Sequence, residues 1–206
     1  MLSDALKRCG SVAGTVAQAE LRFITGNPGK VQELQHLLAS QGITVVQDDQ
    51  GYPEIQADSL EEVAAAGAEH LIAAGVKAPF VLEDAGLFVS ALRGFPGVYS
   101  RYALDTIGYA GILRLMRDVE LELRTATFQA CLTHVAADGT ITHHHGACKG
   151  RIADQAAGRG GFGFDPVFIP DGHDRTFAEM TPEEKGALSH RGAAARAFVG
   201  WLSIPV

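Results

Sequence analysis

Apolar residues recur along the chain in two periods, and the switches between them lay out alternating strands and helices. Leu21 to Ile24 is a short apolar run that enters Thr25-Gly26-Asn27-Pro28-Gly29, after which Val31, Leu34, Leu37 and Leu38 return at helical spacing. A strand, a tight turn and a helix are predicted there. Ser59 with Glu62 in the third position after it is a capping box, and Leu60, Val63, Ala64, Gly67, Ala68, Leu71 and Ile72 share one face of the helix it opens. That helix stops near Gly75. Phe80-Val81-Leu82 reads as a buried strand ending at Glu83-Asp84, and Ile112 to Met116 falls in another helix. From Ala126 the period becomes two, with Ala126, Phe128, Ala130 and Leu132 on one face, Asp138-Gly139 as a hairpin turn and a return strand after it. Thr181-Pro182-Glu183-Glu184 is a further capping box with Pro at the first helical position, and Ala194, Ala197, Phe198, Trp201 and Leu202 give an amphipathic closing helix. The pattern predicts an α/β fold with a mixed sheet. Residues 1–20 carry no sustained stripe and are expected to be a poorly ordered or loosely docked extension, so that the fold begins at Leu21.

Composition narrows the function. A chain of 206 residues, 47% hydrophobic and 20% charged, can bury a substantial core as one globular unit. Its formal charge of -7 opposes the phosphates of DNA or RNA and disfavours a polynucleotide partner, while a small phosphorylated ligand remains compatible. The three cysteines Cys9, Cys131 and Cys148 are odd in number and lack metal-type spacing, which fits neither a disulfide framework nor a zinc site. No run of apolar residues reaches membrane-spanning length, and the N-terminal stretch lacks a signal-peptide core. A soluble protein of the reducing cytoplasm is expected.

Candidate chemistry lies in four places. Thr25 to Lys30 joins a strand to a helix N-terminus, where free amides, the helix dipole and Lys30 favour phosphate; the turn is not a Walker A loop, because Ile24 and Val31 stand where that loop needs Gly and Ser or Thr. Such a turn is also ordinary punctuation. Glu83 and Asp84, with Glu54 upstream, offer hard oxygen ligands suited to Mg²⁺, Asp84 ahead of Glu83 because adjacent strand residues face opposite ways. A solvated acidic strand end is the alternative. Gly158 to Pro166 packs glycines around Phe162 and Phe164, so that Phe162 can stack on a base, although Phe164 in the core and a plain loop are equally compatible. Ser189-His190-Arg191 follows Lys185 near a helix N-terminus and would welcome an anion or keto oxygen, with a solvated His and Arg on a surface helix as the alternative. Arg101 is a candidate phosphate contact, with a plain surface role as the alternative. His143-His144-His145 alternate faces along a strand and cannot converge on one ion.

Taken in order, five blocks resemble the inosine triphosphate pyrophosphatase family: Thr25-Gly26-Asn27-Pro28-Gly29-Lys30, Glu83-Asp84-Ala85-Gly86-Leu87, Gly94-Phe95-Pro96-Gly97-Val98-Tyr99-Ser100, Gly161-Phe162-Gly163-Phe164-Asp165-Pro166 and Ser189-His190-Arg191. The stretches Tyr52 to Gln56 and Thr176 to Met180 look most like the archaeal branch. The resemblance implies an elongated mixed sheet flanked by helices, with residues 21–206 forming one two-lobed domain around a central nucleotide cleft, and a homodimer. It implies Mg²⁺-dependent hydrolysis of non-standard purine nucleoside triphosphates (ITP, dITP, XTP) to the monophosphate and pyrophosphate. Carried over, Thr25, Gly26, Asn27, Pro28, Gly29 and Lys30 hold the triphosphate. Glu54 and Asp84 hold Mg²⁺, and Asp84, with Glu83 and Lys30, forms the catalytic group. Lys185 and Arg101 help with phosphate, Phe162 with Gly163 and Phe164 receives the purine, and Asp165, His190 and Arg191 contact the base or fix the loop that does. Ala85 stands where the family commonly has Ser or Thr, leaving only its backbone for contact, and Glu69 stands where a helix lysine is often found. A silent nucleotide-binding module, or a relative acting on modified pyrimidine nucleotides, are the alternatives.

Overall fold

The structure, a computed structural model, describes residues 19–202. Of the extension expected over residues 1–20, residues 1–18 lie outside the described residues, while Ala19 and Glu20 already belong to the first strand, Ala19–Ile24 (β1). The other strands are Ile43–Asp48 (β2), Phe80–Val89 (β3), Pro96–Gly97 (β4), Thr125–Val135 (β5), Ile141–Ile152 (β6) and Phe168–Pro170 (β7). The helices are Pro28–Ala39 (α1), Leu60–Ala73 (α2), Ser100–Thr106 (α3), Gly108–Leu115 (α4), Pro182–Leu188 (α5) and His190–Leu202 (α6). One seven-stranded mixed sheet runs in the order β2-β1-β3-β5-β6-β7, with β4 paired to β3 off that path. β1 lies parallel to β2 and to β3, and the remaining pairs are antiparallel.

Local chemistry sets these boundaries. Ser59 and Glu62 form the expected capping box at the start of α2, and Thr181 and Glu184 form the one that opens α5 behind Pro182. At the β5–β6 hairpin, Gly139 takes φ +85 and the Thr140 amide donates to Asp138 Oδ1 at 2.9 Å. One boundary differs from expectation: β3 does not end at Glu83-Asp84 but runs on to Val89. It is held by an unbroken ladder with β5, from Phe80 opposite Val135 to Val89 opposite Ala126, and pairing with a central strand outweighs the poor strand propensity of Glu-Asp-Ala-Gly.

Neighbouring residues of the central strands feed opposite faces. Phe23 and Val81 join Leu34, Leu38 and Phe198 beneath α1 and α6, whereas Ile24 and Leu82 join Leu60, Ala64 and Leu71 beneath α2. A third cluster, including Leu87, Ile112, Met116, Phe128, Phe168 and Phe177, fills the other end of the sheet. The carboxylates of β3 therefore lie between two well-packed regions.

The histidine run of β6 divides as the pleat requires. His144 packs on Phe198 and Trp201 with ring centroids 5.3 and 5.4 Å away, while His143 Nδ1 lies 2.8 Å from Thr133 Oγ1 and His145 Nε2 lies 2.8 Å from Glu61. Beside His144, His134 is fully buried, and both its ring nitrogens lack a partner among the described residues. Burial, with His144 adding to it, pushes the His134 pKa down from 6.5 to about 4. A histidine kept neutral by the fold contributes stability that is complete above the unfolded pKa of 6.5 and is lost as pH falls toward 4. Urea unfolding should therefore lose about 2 kcal/mol between pH 7.5 and pH 5. His134→Leu, with no proton to take up there, should lose correspondingly less, and an equally steep acid slope in that variant would refute the assignment.

Candidate active site

A cleft of about 380 Å³ opens where the ends of β1 and β2, the middle of β3 and the starts of α1 and α6 come together. At its phosphate-favouring end, Asn27 caps α1: its side chain accepts from the amides of Gly29 (2.9 Å) and Lys30 (3.3 Å), and its own amide donates to Thr25 Oγ1 at 3.1 Å. This corrects the expectation of free amides along the turn, since an Asn N-cap satisfies two of them. The cation is in place. Lys30 Nζ donates to the Glu83 carbonyl at 2.9 Å and lies 3.5 Å from its carboxylate.

The acidic pair of β3 splits in character. Glu83 is buried and receives Arg191 Nε and Nη2, each at 2.7 Å. Burial alone would raise its pKa, but Arg191 and then Lys30 hold it below the usual carboxylate value. Asp84 has no such clamp, and its Oδ2 is buried without a hydrogen-bond partner among the described residues. Burial, opposed by Lys30 and reinforced by the charges of Glu54 and Glu83, pushes its pKa up to about 7. A buried, unpaired carboxylate oxygen beside two further carboxylates is a place for a cation.

Opposite, α5 and α6 deliver Lys185, His190 and Arg191. Gly146 of β6 lets α6 press against the sheet, since a Cβ there would come within 2.0 Å of the His190 carbonyl. The His190 ring lies 4.7 Å from the Phe128 ring and almost parallel to it, at 8°. Burial, then the charges of Arg191, Lys185 and Lys30, drive its pKa well below 6.5, so the imidazole is neutral, with Nδ1 buried and unpartnered among the described residues. Glu33, in the second turn of α1, pairs with both Lys185 and Arg191, and Lys185 also pairs with Asp165. Burial opposes the charge of Arg191, but Glu83 and Glu33 raise its pKa above the ordinary arginine value.

The glycine loop is tied to this network. Asp165 accepts the Phe162 amide at 2.7 Å, and Gly161, at φ +67, would drive a Cβ to 2.1 Å from that carboxylate. The Phe162 ring has Lys185 Nζ 4.9 Å and the Arg191 guanidinium 5.5 Å from its centroid, a cation–π arrangement. Beneath the loop, Thr176 and Glu179 form a capping box, and the Gly160 amide donates to the Ala178 carbonyl at 2.9 Å. The Thr176 to Met180 block is thus the support on which the Phe162 loop rests.

Most residues singled out in the sequence line this one cleft: Thr25, Gly26, Asn27, Lys30, Glu54, Glu83, Asp84, Ala85, Arg101, Phe162, Gly163, Phe164, Asp165, Lys185, His190 and Arg191. Pro28 and Gly29 do not; Pro28 is the first residue of α1, and Gly29 lies under the Phe162 ring. Arg101 is largely exposed at the rim and pairs with Asp105 at 2.6 Å, while Lys185 is buried in the ion network rather than projecting toward the Thr25 turn. Glu69 opens onto a separate shallow groove with Ile55 and Tyr99, so that departure does not touch the cleft. Tyr52, Leu104 and Phe128 line the cleft without having been anticipated, and Glu33 was likewise unanticipated. For Glu33, the signal in the sequence is its spacing of three from Lys30 on a helix that starts at the turn.

Residues 21–201 match the model of the Ham1 family. The chain is 53% identical over 182 residues to a dITP/XTP pyrophosphatase of Thermococcus kodakarensis, covering 88% of this chain and 96% of that protein. It is 50% identical over 182 residues to a dITP/XTP pyrophosphatase of Pyrococcus horikoshii, with coverage of 88% and 96%. Among solved structures, the Ham1 protein of Staphylococcus aureus superposes with a TM-score of 0.74 at 28% identity, over 89% of this chain and 97% of that one.

Proposed function

Because the chain belongs to the Ham1 family, we propose that it hydrolyses non-standard purine nucleoside triphosphates (ITP, dITP and XTP) to the nucleoside monophosphate and pyrophosphate. The observation that carries this reading is the buried Asp84 Oδ2, without a hydrogen-bond partner among the described residues, in the cleft that Lys30, Lys185 and Arg191 also line. In this reading residues 21–206 act as one domain around the cleft. The triphosphate lies along Thr25 to Lys30, with Arg101 at the rim, and the purine enters beside Phe162.

Among the described residues, no group of three or more His, Cys, Asp or Glu side chains could hold a metal ion. Mg²⁺ needs fewer, commonly one or two protein carboxylates together with water and substrate phosphates. The orphaned Asp84 Oδ2, with Glu54 close enough to raise its pKa, fits that requirement, so Glu54 and Asp84 are the ligands we assign. When bound there, Mg²⁺ supplies neutralising charge and Lewis acidity to the phosphates. The chain's own residues do the rest. Lys30 and Arg101 balance the negative charge that grows on the leaving pyrophosphate. Asp84 accepts the proton of the water that attacks the α-phosphorus.

Selection of the base follows from donors. Glu83 and Glu33 take three Arg191 N–H groups, leaving two of the five that a guanidinium carries. Hypoxanthine and xanthine present a 6-keto acceptor to such donors, whereas adenine presents an amino group and leaves them unpaired. A second copy of the chain is the partner we propose. The reaction is tested by its products: ITP should give inosine monophosphate and pyrophosphate in equal amounts, and only with Mg²⁺ present. Inosine diphosphate with orthophosphate would refute it.

A further inference from the structure

Gly29 is the second residue of α1, next to the phosphate-favouring turn, and its neighbour in space is the Phe162 ring. A Cβ there would come within 2.7 Å of Phe162 Cδ1, 2.9 Å of Phe162 Cε1 and 3.2 Å of Asn27 Oδ1, the first two well inside the contact distance of carbon atoms. The backbone does not call for glycine, since Gly29 is helical and is not one of the glycines with positive φ. Helix propensity does not favour it either, glycine being among the weakest helix formers. What glycine supplies is the space that the ring occupies. The ring is held from other directions as well. Lys185 Nζ lies 4.9 Å and the Arg191 guanidinium 5.5 Å from its centroid. The loop backbone is pinned by the Phe162 amide donating to Asp165 Oδ2 at 2.7 Å and by the Asp165 amide donating to the Phe162 carbonyl at 3.2 Å. A side chain at residue 29 is accommodated only if the ring moves relative to these cations and to the cleft it lines.

Resting on the pyrophosphatase reading, we infer that Gly29 is a positioning residue for the base, its missing side chain seating the Phe162 ring in the attitude that receives the purine. Gly29 has no side chain to offer either base or phosphate and acts through Phe162. The seat ties the loop at the base end of the cleft to the helix that starts at the phosphate turn, so a glycine of that turn serves the other end of the nucleotide. Stacking on a seated ring is made alike in the ground state and the transition state, so its loss belongs in KM rather than kcat.

Gly29→Ala keeps the amide that donates to Asn27 and adds only the carbon that meets the ring. With ITP and Mg²⁺, KM should rise about 10-fold, the scale of base–aromatic stacking, with kcat within about threefold of wild type. Tm should hold or rise, because alanine is the better helix former. A glycine with a merely structural role would not give that split. In a Phe162→Ala background, which has no ring to displace, the same substitution should change KM by less than about twofold. An unchanged KM for Gly29→Ala in an otherwise active protein overturns the seat while leaving the pyrophosphatase reading intact. So does an equal rise in both backgrounds, which places the effect in the phosphate turn, or a rise accompanied by a clear fall in Tm. A wild-type protein that hydrolyses no purine triphosphate overturns both.

Discussion

Asp84→Asn is expected to slow pyrophosphate release from ITP by about 1000-fold while nucleotide affinity changes by no more than about threefold. The substitution keeps the shape of the side chain and its place on β3, so the ladder with β5 and the clamp of Arg191 on Glu83 survive. What is lost is the negative charge at the buried, unpaired Oδ2, and with it both a proton acceptor and a hard ligand. Replacing the carboxyl by an amide also relieves the like-charge crowding with Glu54 and Glu83, so the folded protein should not be weakened. Single-turnover kinetics together with equilibrium binding of ITP separate the two effects. A nucleotide-binding module without hydrolytic function would release no pyrophosphate even as wild type and would keep its ITP affinity in the variant, and a fully active Asp84→Asn enzyme would remove Asp84 from the chemistry.

The second large effect concerns the fold. Arg191 is the main counter-charge of Glu83, whose side chain has no exposed surface, and it also pairs with Glu33. Removing one partner of a buried pair leaves the other charged and desolvated, so Arg191→Met should cost about 3–5 kcal/mol. For a chain of this length that is a fall in Tm of roughly 10 °C. The charge should be the cause rather than the lost packing. Adding Glu83→Gln to Arg191→Met should recover a large part of the loss without restoring hydrolysis, since the base-facing donors remain absent. Urea unfolding of the three proteins decides it. A single variant within 1 kcal/mol of wild type would mean that Lys30, at 3.5 Å, suffices to hold Glu83.

Much of this architecture is written in local signals. The capping boxes at Ser59 and Thr181, the Asp138-Gly139 turn and the period-two run from Ala126 each depend on residues close in sequence, and each element forms where those residues place it. The continuation of β3 through Glu83-Asp84-Ala85-Gly86 depends instead on β5, whose pairing residues are distant in the chain. No local propensity marks it, because a ten-residue ladder supplies the preference. The site divides in the same way. Motif residues such as Lys30, Asp84 and Arg191 were legible because their types suit phosphate, metal and keto oxygen, and they do line one cleft. Glu33 was not, since an acidic residue on the exposed side of a helix reads as solvated until α5 and α6 bring Lys185 and Arg191 against it. Tyr52 has no signal of its own in the sequence, because its ring is seated against Gly67 and that contact exists only once α2 packs beside the loop. The capping of Gly29 and Lys30 by Asn27 was readable from the Asn alone, since that residue type is a strong N-cap.

The most direct test is pyrophosphate release from ITP, XTP, GTP and ATP at matched concentrations, with and without Mg²⁺. Fast, Mg²⁺-dependent release from ITP and XTP with little from ATP is the expected result. It would join the assignment of Asp84 and Glu54 to the selection of a 6-keto base by Arg191. Equal release from ATP would contradict the selection, and no release from any of the four, despite binding, would contradict the enzyme itself.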